Sequence, residues 1–395
     1  MYMAWSLAGV VCLSIWIYLL LAHGDFWKTW RMSAAETSVS LTNARITVVI
    51  PARDEAAFIG KTVRSLLHQS LASSIHIFVV DDGSTDGTAE AALDAARDCA
   101  ALDRVAVLRG RELPAGWTGK MWALAQGVQQ ARKLQPDFLL FTDADVRHSP
   151  DNLARLVSLA GSRNYDLVSF MVKLNCENFA ELLLIPPFVF FFFLLYPPAW
   201  IRDPRRKTAG AAGGCILIRP SALRKAGGIA AIRGEIIDDC ALARAVKGSG
   251  GLVWLGVSAD TVSQRPYRSF GEIERMIART AFNQLHHSVL LLLGSLFGLS
   301  LAYLLPIGLL FSHDWRLIML GFVSWLLISA AYAPMVRFYE LPWLWALTLP
   351  VTACFYMFAT VHSAFNYWAG RGGEWKGRSQ DVVSVAGSEV PEADR

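Results

Sequence analysis

Residues 46–55, ITVVIPARDE, decide how the chain is read. Ile46-Thr47-Val48-Val49-Ile50 is a β-branched run of the kind that fills a strand buried on both faces. It leads directly into Pro51-Ala52-Arg53-Asp54-Glu55, a charged turn. The same grammar recurs twice downstream. Ile75–Val80 reads as a strand ending in Asp81-Asp82-Gly83-Ser84-Thr85-Asp86-Gly87-Thr88, and Phe138–Thr142 as a strand ending in Asp143-Ala144-Asp145. Helical spacing covers Phe58–Gln69, Thr88–Cys99 and Lys120–Lys133, and Val105–Leu108 supplies one more strand. Strands alternating with helices predict an α/β domain with a mostly parallel sheet. Such a sheet binds ligands beyond the carboxyl ends of its strands, where these acids lie.

Outward from that domain the composition changes. Of 395 residues, 54% are hydrophobic and 18% charged, against about 25% charged in an ordinary soluble chain. Four stretches meet the roughly 20 apolar residues that a membrane span requires: Ala4–Ala22, Val289–Phe311, Leu317–Val336 and Leu341–Trp368. The first has no basic flank and no cleavage site, so it reads as a retained anchor. A fifth run, Leu182–Trp200, is rich in Phe but holds Pro186-Pro187 and Pro197-Pro198, which are expected to kink a helix. The predicted organisation is an anchor over 1–30, an α/β domain over 42–287 with a hydrophobic insert at 182–200, three membrane helices over 288–369, and a polar, disordered tail over 370–395. The six cysteines show no CxxC pair or zinc-ligand spacing and read as isolated thiols. The net charge of +4 is interspersed, which gives no argument for nucleic acid.

The strand-end clusters carry the candidate chemistry. Asp143 and Asp145 alternate along an extended segment, so their oxygens can converge on one hard cation, Mg²⁺ or Mn²⁺. In the second cluster Ser84, Thr85 or Asp86 can cap the next helix. A capped turn explains the Gly, Ser and Thr there but not two adjacent carboxylates, which suit a base N–H or a ribose hydroxyl. A fourth cluster, Glu235-Ile236-Ile237-Asp238-Asp239, opens a helix at Cys240–Lys247. Its acids are either partners of the helix dipole or a proton acceptor for a hydroxyl nucleophile, and position alone leaves both open.

As an ordered set, VVIPARDE (48–55), VVDDGSTDGT (79–88), FTDADV (141–146), GAAGGCILIRPSAL (210–223) and EIIDDCALARAVKGSG (235–250) resemble the family 2 glycosyltransferases, over Arg45 to Phe282. Together with GWTGKMWAL (116–124), the Phe-rich run and three C-terminal spans, the chain is similar to the hopene-associated glycosyltransferases of bacteria. The resemblance implies a GT-A domain, a nucleotide-sugar donor (a UDP-sugar is expected), a divalent cation, a lipid acceptor and a place in hopanoid metabolism. It places Pro51, Glu55, Asp81 and Asp82 at the donor nucleotide. Asp143 and Asp145 would flank the metal, with Asp145 the more direct ligand. Asp239, beside Asp238, would be the general base of an inverting displacement. Lys120 either approaches the diphosphate or is an ordinary helix-start lysine. Processive members carry Gln-x-x-Arg-Trp; here Met276-Ile277-Ala278-Arg279-Thr280 keeps only the Arg, which puts Arg279 in the acceptor region and argues against a polymer synthase.

Nucleotide sugars are cytoplasmic, so the resemblance implies a multi-pass protein of the bacterial inner membrane with Arg45–His287 inside. Arg202, Arg205, Arg206 and Lys207 agree with that side. If Leu182–Trp200 crossed, Asp145 and Asp239 would be separated, so the run is expected at the interface or re-entrant. Four crossings would leave the C-terminus outside, against the preference of Arg371, Lys376 and Arg378. Competing readings are a polyprenyl-phosphate acceptor, a sugar nucleotidyltransferase, which would want an Arg/Lys-bearing Gly-rich loop that Arg53-Asp54-Glu55 does not offer, and a transporter or scaffold with a decayed domain. His362, one of few ionisable residues in the spans, reads as structural.

Overall fold

The protein is described by a computed structural model over residues 2–30, 44–71 and 75–370. The expected disordered tail lies outside the described residues. Helix α1 (Tyr2–Ala22) precedes the domain. The alternation β1 (Ile46–Ala52), α2 (Ala56–Leu67), β2 (Ile75–Asp81), α3 (Thr88–Asp98), β3 (Val105–Arg109), α4 (Gly119–Ala131) and β4 (Phe138–Thr142) follows the sequence reading to within two residues at most boundaries. Next come β5 (Val146–Arg147), α5 (Asn152–Ser162), β6 (Leu167–Lys173), α6 (Phe179–Leu195), α7 (Pro198–Arg202), β7 (Cys215–Ile218), α8 (Pro220–Lys225), α9 (Asp238–Gly248) and β8 (Val253–Ser263). Helices α10 (Phe270–Ala278) and α11 (Ala281–Gln284) lead to the apolar C-terminal part. There α12 (Val289–Leu299) runs through a π turn (Ser300–Leu304) into α13 (Leu305–Leu309), followed by α14 (Trp315–Phe338), a 3₁₀ segment (Trp343–Thr348) and α15 (Leu349–Trp368).

The strands form one eight-stranded sheet in the order β3-β2-β1-β4-β7-β6-β8-β5. Strands β3, β2, β1 and β4 are parallel, β7 is antiparallel to both β4 and β6, and β6 pairs parallel with β8. The sheet is mixed but mostly parallel. Period-two alternation divides its side chains between two cores. Ile46, Val48 and Ile50 pack with α2, α3 and α5 on one face. Val49, Leu139 and Phe141 face α4, and that second core continues without a break through α6 and α9 to Trp16 of α1, Tyr332 of α14 and Tyr356 of α15. The apolar helices are thus part of the domain's own core and not a tethered appendage.

Four segments are long and apolar enough to cross a membrane: Met3–Ala22, Val289–Leu309, Trp315–Phe338 and Trp343–Trp368. Backbone groups in such helices need partners from within the protein. Pro306 has no N–H for the Ala302 carbonyl four residues back; the Trp16 indole N–H supplies it instead, at 2.8 Å. The first Pro-Pro pair, expected to kink a helix, falls within one continuous α6. Pro186 and Pro187 lie inside the helix, both buried. Packing holds the segment helical: Phe190 meets Phe26 at 5.4 Å and Tyr332 at 5.3 Å, and the Tyr356 hydroxyl donates to the Leu184 carbonyl at 2.6 Å. The second pair acts as read: α6 stops at Leu195, and Pro198 opens α7.

The last apolar segment is tied to the α/β domain at both ends. At its start, Lys173 at the end of β6 bonds Glu340 at 2.8 Å, and Trp345 lies 6.2 Å from Phe179. At its finish, His362 bonds Glu274 of α10 at 2.5 Å, the Ser363 hydroxyl accepts from Phe282 N–H at 3.0 Å, and Tyr367 stacks on His287 at 4.0 Å. His362 is therefore paired with a carboxylate.

Helix α4 carries Lys120 and must approach β1 closely. A Cβ on Gly127 would lie 2.2 Å from Val49 Cγ1. Gly127→Ala should destabilise the fold by about 1–3 kcal/mol despite the better helix propensity of alanine. The check is the thermal midpoint of the detergent-purified protein, which is expected to fall; an unchanged or raised midpoint would contradict this packing.

Candidate active site

Thr118 caps α4, its hydroxyl accepting from Met121 N–H at 3.3 Å, and this sets Lys120 in the first turn with its side chain over the end of β4. Lys120 Nζ lies 3.2 Å from Asp143 Oδ1 and 3.2 Å from Asp238 Oδ2. Asp239 completes the cluster. Its Oδ2 accepts from Gly213 N–H at 2.8 Å and its Oδ1 from Cys240 N–H at 2.7 Å. A Cβ on Gly213 would sit 3.3 Å from Lys120 Nζ, a tight contact, and 3.4 Å from Asp239 Oδ2. Pro51, Lys120, Asp143, Asp238 and Asp239 all line one pocket, floored by Phe141, Ile216, Ile229 and Leu242. Lys120, at the start of α4, lies among these acids.

The electrostatics follow from this crowding. Burial works against the Lys120 charge, but Asp143, Asp238 and Asp239 overcome it and raise its pKa. Burial, then repulsion from Asp238, pushes the Asp239 carboxyl up to about 6, with Lys120 and the two backbone N–H donors opposing.

Asp145 faces a second cation that the sequence reading did not single out. Arg265 Nε donates to Asp145 Oδ2 at 2.9 Å, while its Nη2 reaches both oxygens of Glu55 at 2.6 and 2.5 Å. Glu55 and Asp145 come from different strand ends, and one guanidinium joins them. Arg265 lies two residues past β8, so looking for cations as well as acids at strand ends would have found it. Burial, then the neighbouring Asp143 charge, holds the Asp145 carboxyl above its usual range.

Five carboxylates (Glu55, Asp143, Asp145, Asp238 and Asp239) thus share two cations. That excess of negative charge suits a dication. Among the described residues no three acidic, His or Cys side chains form a ready-made metal cage. Asp143 and Asp145 do fit a hard cation that draws its remaining oxygens from water and a diphosphate, the usual manner of Mg²⁺.

The first two strand-end turns are stapled together. Asp54 accepts from Thr85 N–H at 2.9 Å, Asp86 from Ala56 N–H at 2.9 Å, and Thr88 Oγ1 from Glu55 N–H at 2.8 Å. Asp86 also accepts from Thr88 N–H at 3.1 Å, so it serves the starts of both α2 and α3. Asp81 receives both the N–H and the hydroxyl of Ser84, at 2.9 and 2.5 Å, and so has a turn-forming role. Asp82 is buried, and Arg53 donates to its carbonyl at 2.6 Å. Behind Asp143, the His148 ring bonds Thr142 Oγ1 at 2.9 Å and the Asn152 amide at 2.9 Å. Burial lowers its pKa to about 3, so the ring is a neutral brace. Arg279 is exposed at the end of α10, and its charge acts on Tyr267, which also feels Asp145, Arg265 and Asp143.

Residues 47–227 match the profile of the family described as Glycosyl transferase family 2. That segment is similar to the family 2 glycosyltransferases. The chain's fold is GT-A: over 91% of this chain and 99% of the other it resembles "Mannosyltransferase PcManGT from Pyrobaculum calidifontis in complex with GDP-Man and Mn2+", with a TM-score of 0.53 and 18% sequence identity. An undecaprenyl-phosphate 4-deoxy-4-formamido-L-arabinose transferase of Pseudomonas paraeruginosa is 35% identical over 126 residues, 31% of this chain and 34% of that protein. A 4,4'-diaponeurosporenoate glycosyltransferase of Staphylococcus aureus is 29% identical over 134 residues, 34% of this chain and 32% of that protein. The chain spans about a third of the length of both relatives.

Removing Lys120 tests the cluster. Lys120→Met leaves Asp143, Asp238 and Asp239 facing one another and should cost about 3 kcal/mol at neutral pH. A carboxyl whose folded pKa is raised binds a proton that the unfolded chain does not, so stability falls as pH rises through the window between the two values. For Asp239 in the wild type that window closes near 6; without Lys120 it extends upward. The deficit in thermal midpoint should therefore be larger at pH 8 than at pH 5. A deficit independent of pH would contradict the assignment.

Proposed function

We propose that the protein is a membrane-bound inverting glycosyltransferase that moves a sugar from a nucleotide-sugar donor, a UDP-sugar by expectation, to a lipid acceptor. The observation that carries the reading is the convergence of Asp143, Asp238 and Asp239 on Lys120 in one pocket. A Mg²⁺ or Mn²⁺ ion held by Asp143 and Asp145 supplies charge stabilisation for the departing diphosphate. Lys120 would meet the same diphosphate, and it holds Asp143 and Asp238 in place. Pro51, Glu55 and Asp82, with Asp81 shaping the turn, hold the nucleoside. Asp239 is ionised at neutral pH yet basic enough to take a proton. An acceptor hydroxyl attacks the anomeric carbon, the bond from that carbon to the diphosphate oxygen breaks, and the hydroxyl proton passes to Asp239. A single displacement of this kind inverts the anomeric centre.

Support for a lipid acceptor comes from the two relatives, whose names specify undecaprenyl phosphate and a carotenoid acid, and from the apolar core that joins the domain to its helices. A hydroxyl lipid, such as a hopanoid, makes use of Asp239 as base. A polyprenyl phosphate is the second reading, favoured by the arabinose transferase relative; its oxygen is already ionised and needs no base. Incubating membranes with radiolabelled nucleotide sugars and extracting lipid separates the two. A hydroxyl glycoside survives mild acid, whereas a glycosyl phosphate releases its sugar.

In the hydroxyl reading, Asp239→Asn should lower transfer by at least about 100-fold while donor binding persists, and wild-type activity should decline as pH drops below 6. Near-normal transfer by the variant would remove Asp239 as the base.

The α/β domain belongs in the cytoplasm on this reading, and α1, α12–α13 and α14 cross the membrane. The segment Trp343–Trp368 touches the domain at both ends and so enters and returns without crossing. That gives three crossings, keeps Asp145 and Asp239 on one side, and brings the chain end to the side that Arg371, Lys376 and Arg378 prefer. In a cysteine-free background, a cysteine at 313 should react with an impermeant thiol reagent from outside, and cysteines at 24, 339 and 370 only after the membrane is opened. External labelling at 370 would restore a fourth crossing.

A further inference from the structure

Arg265 joins two carboxylates that the proposed donor site assigns to different ligands, Glu55 to the nucleoside and Asp145 to the metal. Its position is built in from several directions. The neighbouring Gln264 N–H donates to the Asp145 carbonyl at 2.8 Å, which fixes the backbone of the segment to that of the metal turn. Val262 and Ser263 pair with Arg147 and Val146 of β5, immediately past Asp145. On the far side, Tyr267 N–H donates to Glu181 at 2.7 Å and the Tyr267 carbonyl accepts from Asn178 at 2.8 Å, at the capping box that opens α6. The guanidinium is further placed against the Phe58 ring, 5.2 Å from its centroid. Arg265 is half-buried and bound to two nearly buried carboxylates, a setting in which charge-assisted hydrogen bonds are strong.

The bond from Arg265 to Asp145 occupies one of the oxygens that a dication needs. A metal arriving alone competes with the guanidinium for Asp145 and faces its positive charge at close range with no new anion between them. A metal arriving with a nucleoside diphosphate meets a different balance. The phosphate oxygens complete the coordination of the ion and also offer the displaced guanidinium a partner suited to its planar fork. We propose that Arg265 is the positioning residue that couples the two ligands, holding Asp145 and Glu55 together in the empty protein and releasing Asp145 only when metal and nucleoside diphosphate enter together. The coupling is reciprocal: nucleotide tightens metal binding by the same factor as metal tightens nucleotide binding. The proposal rests on the donor-site reading above.

The test is Mn²⁺ binding, followed by the loss of the free-ion electron paramagnetic resonance signal, on the full-length protein in detergent, with and without UDP and, separately, GDP. Wild type should bind Mn²⁺ weakly alone and much more tightly with one of the nucleotides. Arg265→Gln should bind Mn²⁺ alone at least about tenfold more tightly than wild type, because one close positive charge is gone. Its further gain on adding nucleotide should shrink correspondingly. Arg265→Lys keeps the charge but not the fork, so its affinity for Mn²⁺ alone should stay near that of wild type. The lysine variant also controls for folding, as does the thermal midpoint of each protein. Equal Mn²⁺ affinities for wild type and Arg265→Gln without nucleotide, with an unchanged nucleotide effect, would overturn the coupling role and leave the donor site standing. If wild type fails to bind Mn²⁺ in the presence of either nucleotide, the donor-site reading itself fails and takes this proposal with it.

Discussion

A lysine ammonium held between carboxylates from a strand end and a helix start is the constraint on which the site depends. Lys120 comes from the start of α4, Asp143 from the end of β4, and Asp238 from the start of α9 after the excursion through α6 and α7. Bringing three acids to one point is unfavourable unless a cation sits among them. The fold supplies that cation by capping α4 at Thr118 and by leaving Gly213 without a side chain, so that the ammonium, Asp239 and the backbone N–H fit together. Burial, and then the neighbouring carboxylates, shift Asp145 and Asp239 upward, and the excess of carboxylates that remains would suit a metal and an anion together.

The constraint also explains the shape of the membrane part. The chain between Asp145 and Asp239 contains an apolar helix long enough to invite a crossing, yet both acids belong to one site. The structure answers by making α6 a core helix of the domain, covered by Phe26, Tyr332 and Tyr356 from helices that are themselves apolar. Its capping box at Asn178 and Glu181 holds Tyr267 and, through it, the segment that carries Arg265. Helix α6 and the segment that carries Arg265 are therefore joined through one carboxylate, though far apart in sequence.

Much of this was legible in the sequence because it is local. The strands β1, β2 and β4 are mostly apolar, their acids follow closely, and the alternation with helices dictates a sheet whose strand ends share one edge. What escaped is what depends on distant partners. Pro186-Pro187 reads as a helix breaker because a local rule says so; packing on both sides, invisible in sequence, keeps α6 helical. Arg265 carried no motif, and its role exists only because Glu55 and Asp145 arrive beside it. His362 looked solitary until Glu274 came to it from α10. The last apolar segment satisfies every length and composition criterion for a span, and only its contacts at both ends argue otherwise.

The most direct test of the account is a structure of the full-length protein with Mn²⁺ and a nucleoside diphosphate, UDP and GDP in separate experiments, with the metal located by its anomalous scattering. The account predicts one Mn²⁺ bound to the Asp145 carboxylate next to Asp143 and bridging to the diphosphate, with Lys120 on the other side of those phosphates and Arg265 no longer bonded to Asp145. A metal or nucleotide found away from the pocket that Lys120, Asp143 and Asp239 share would contradict it.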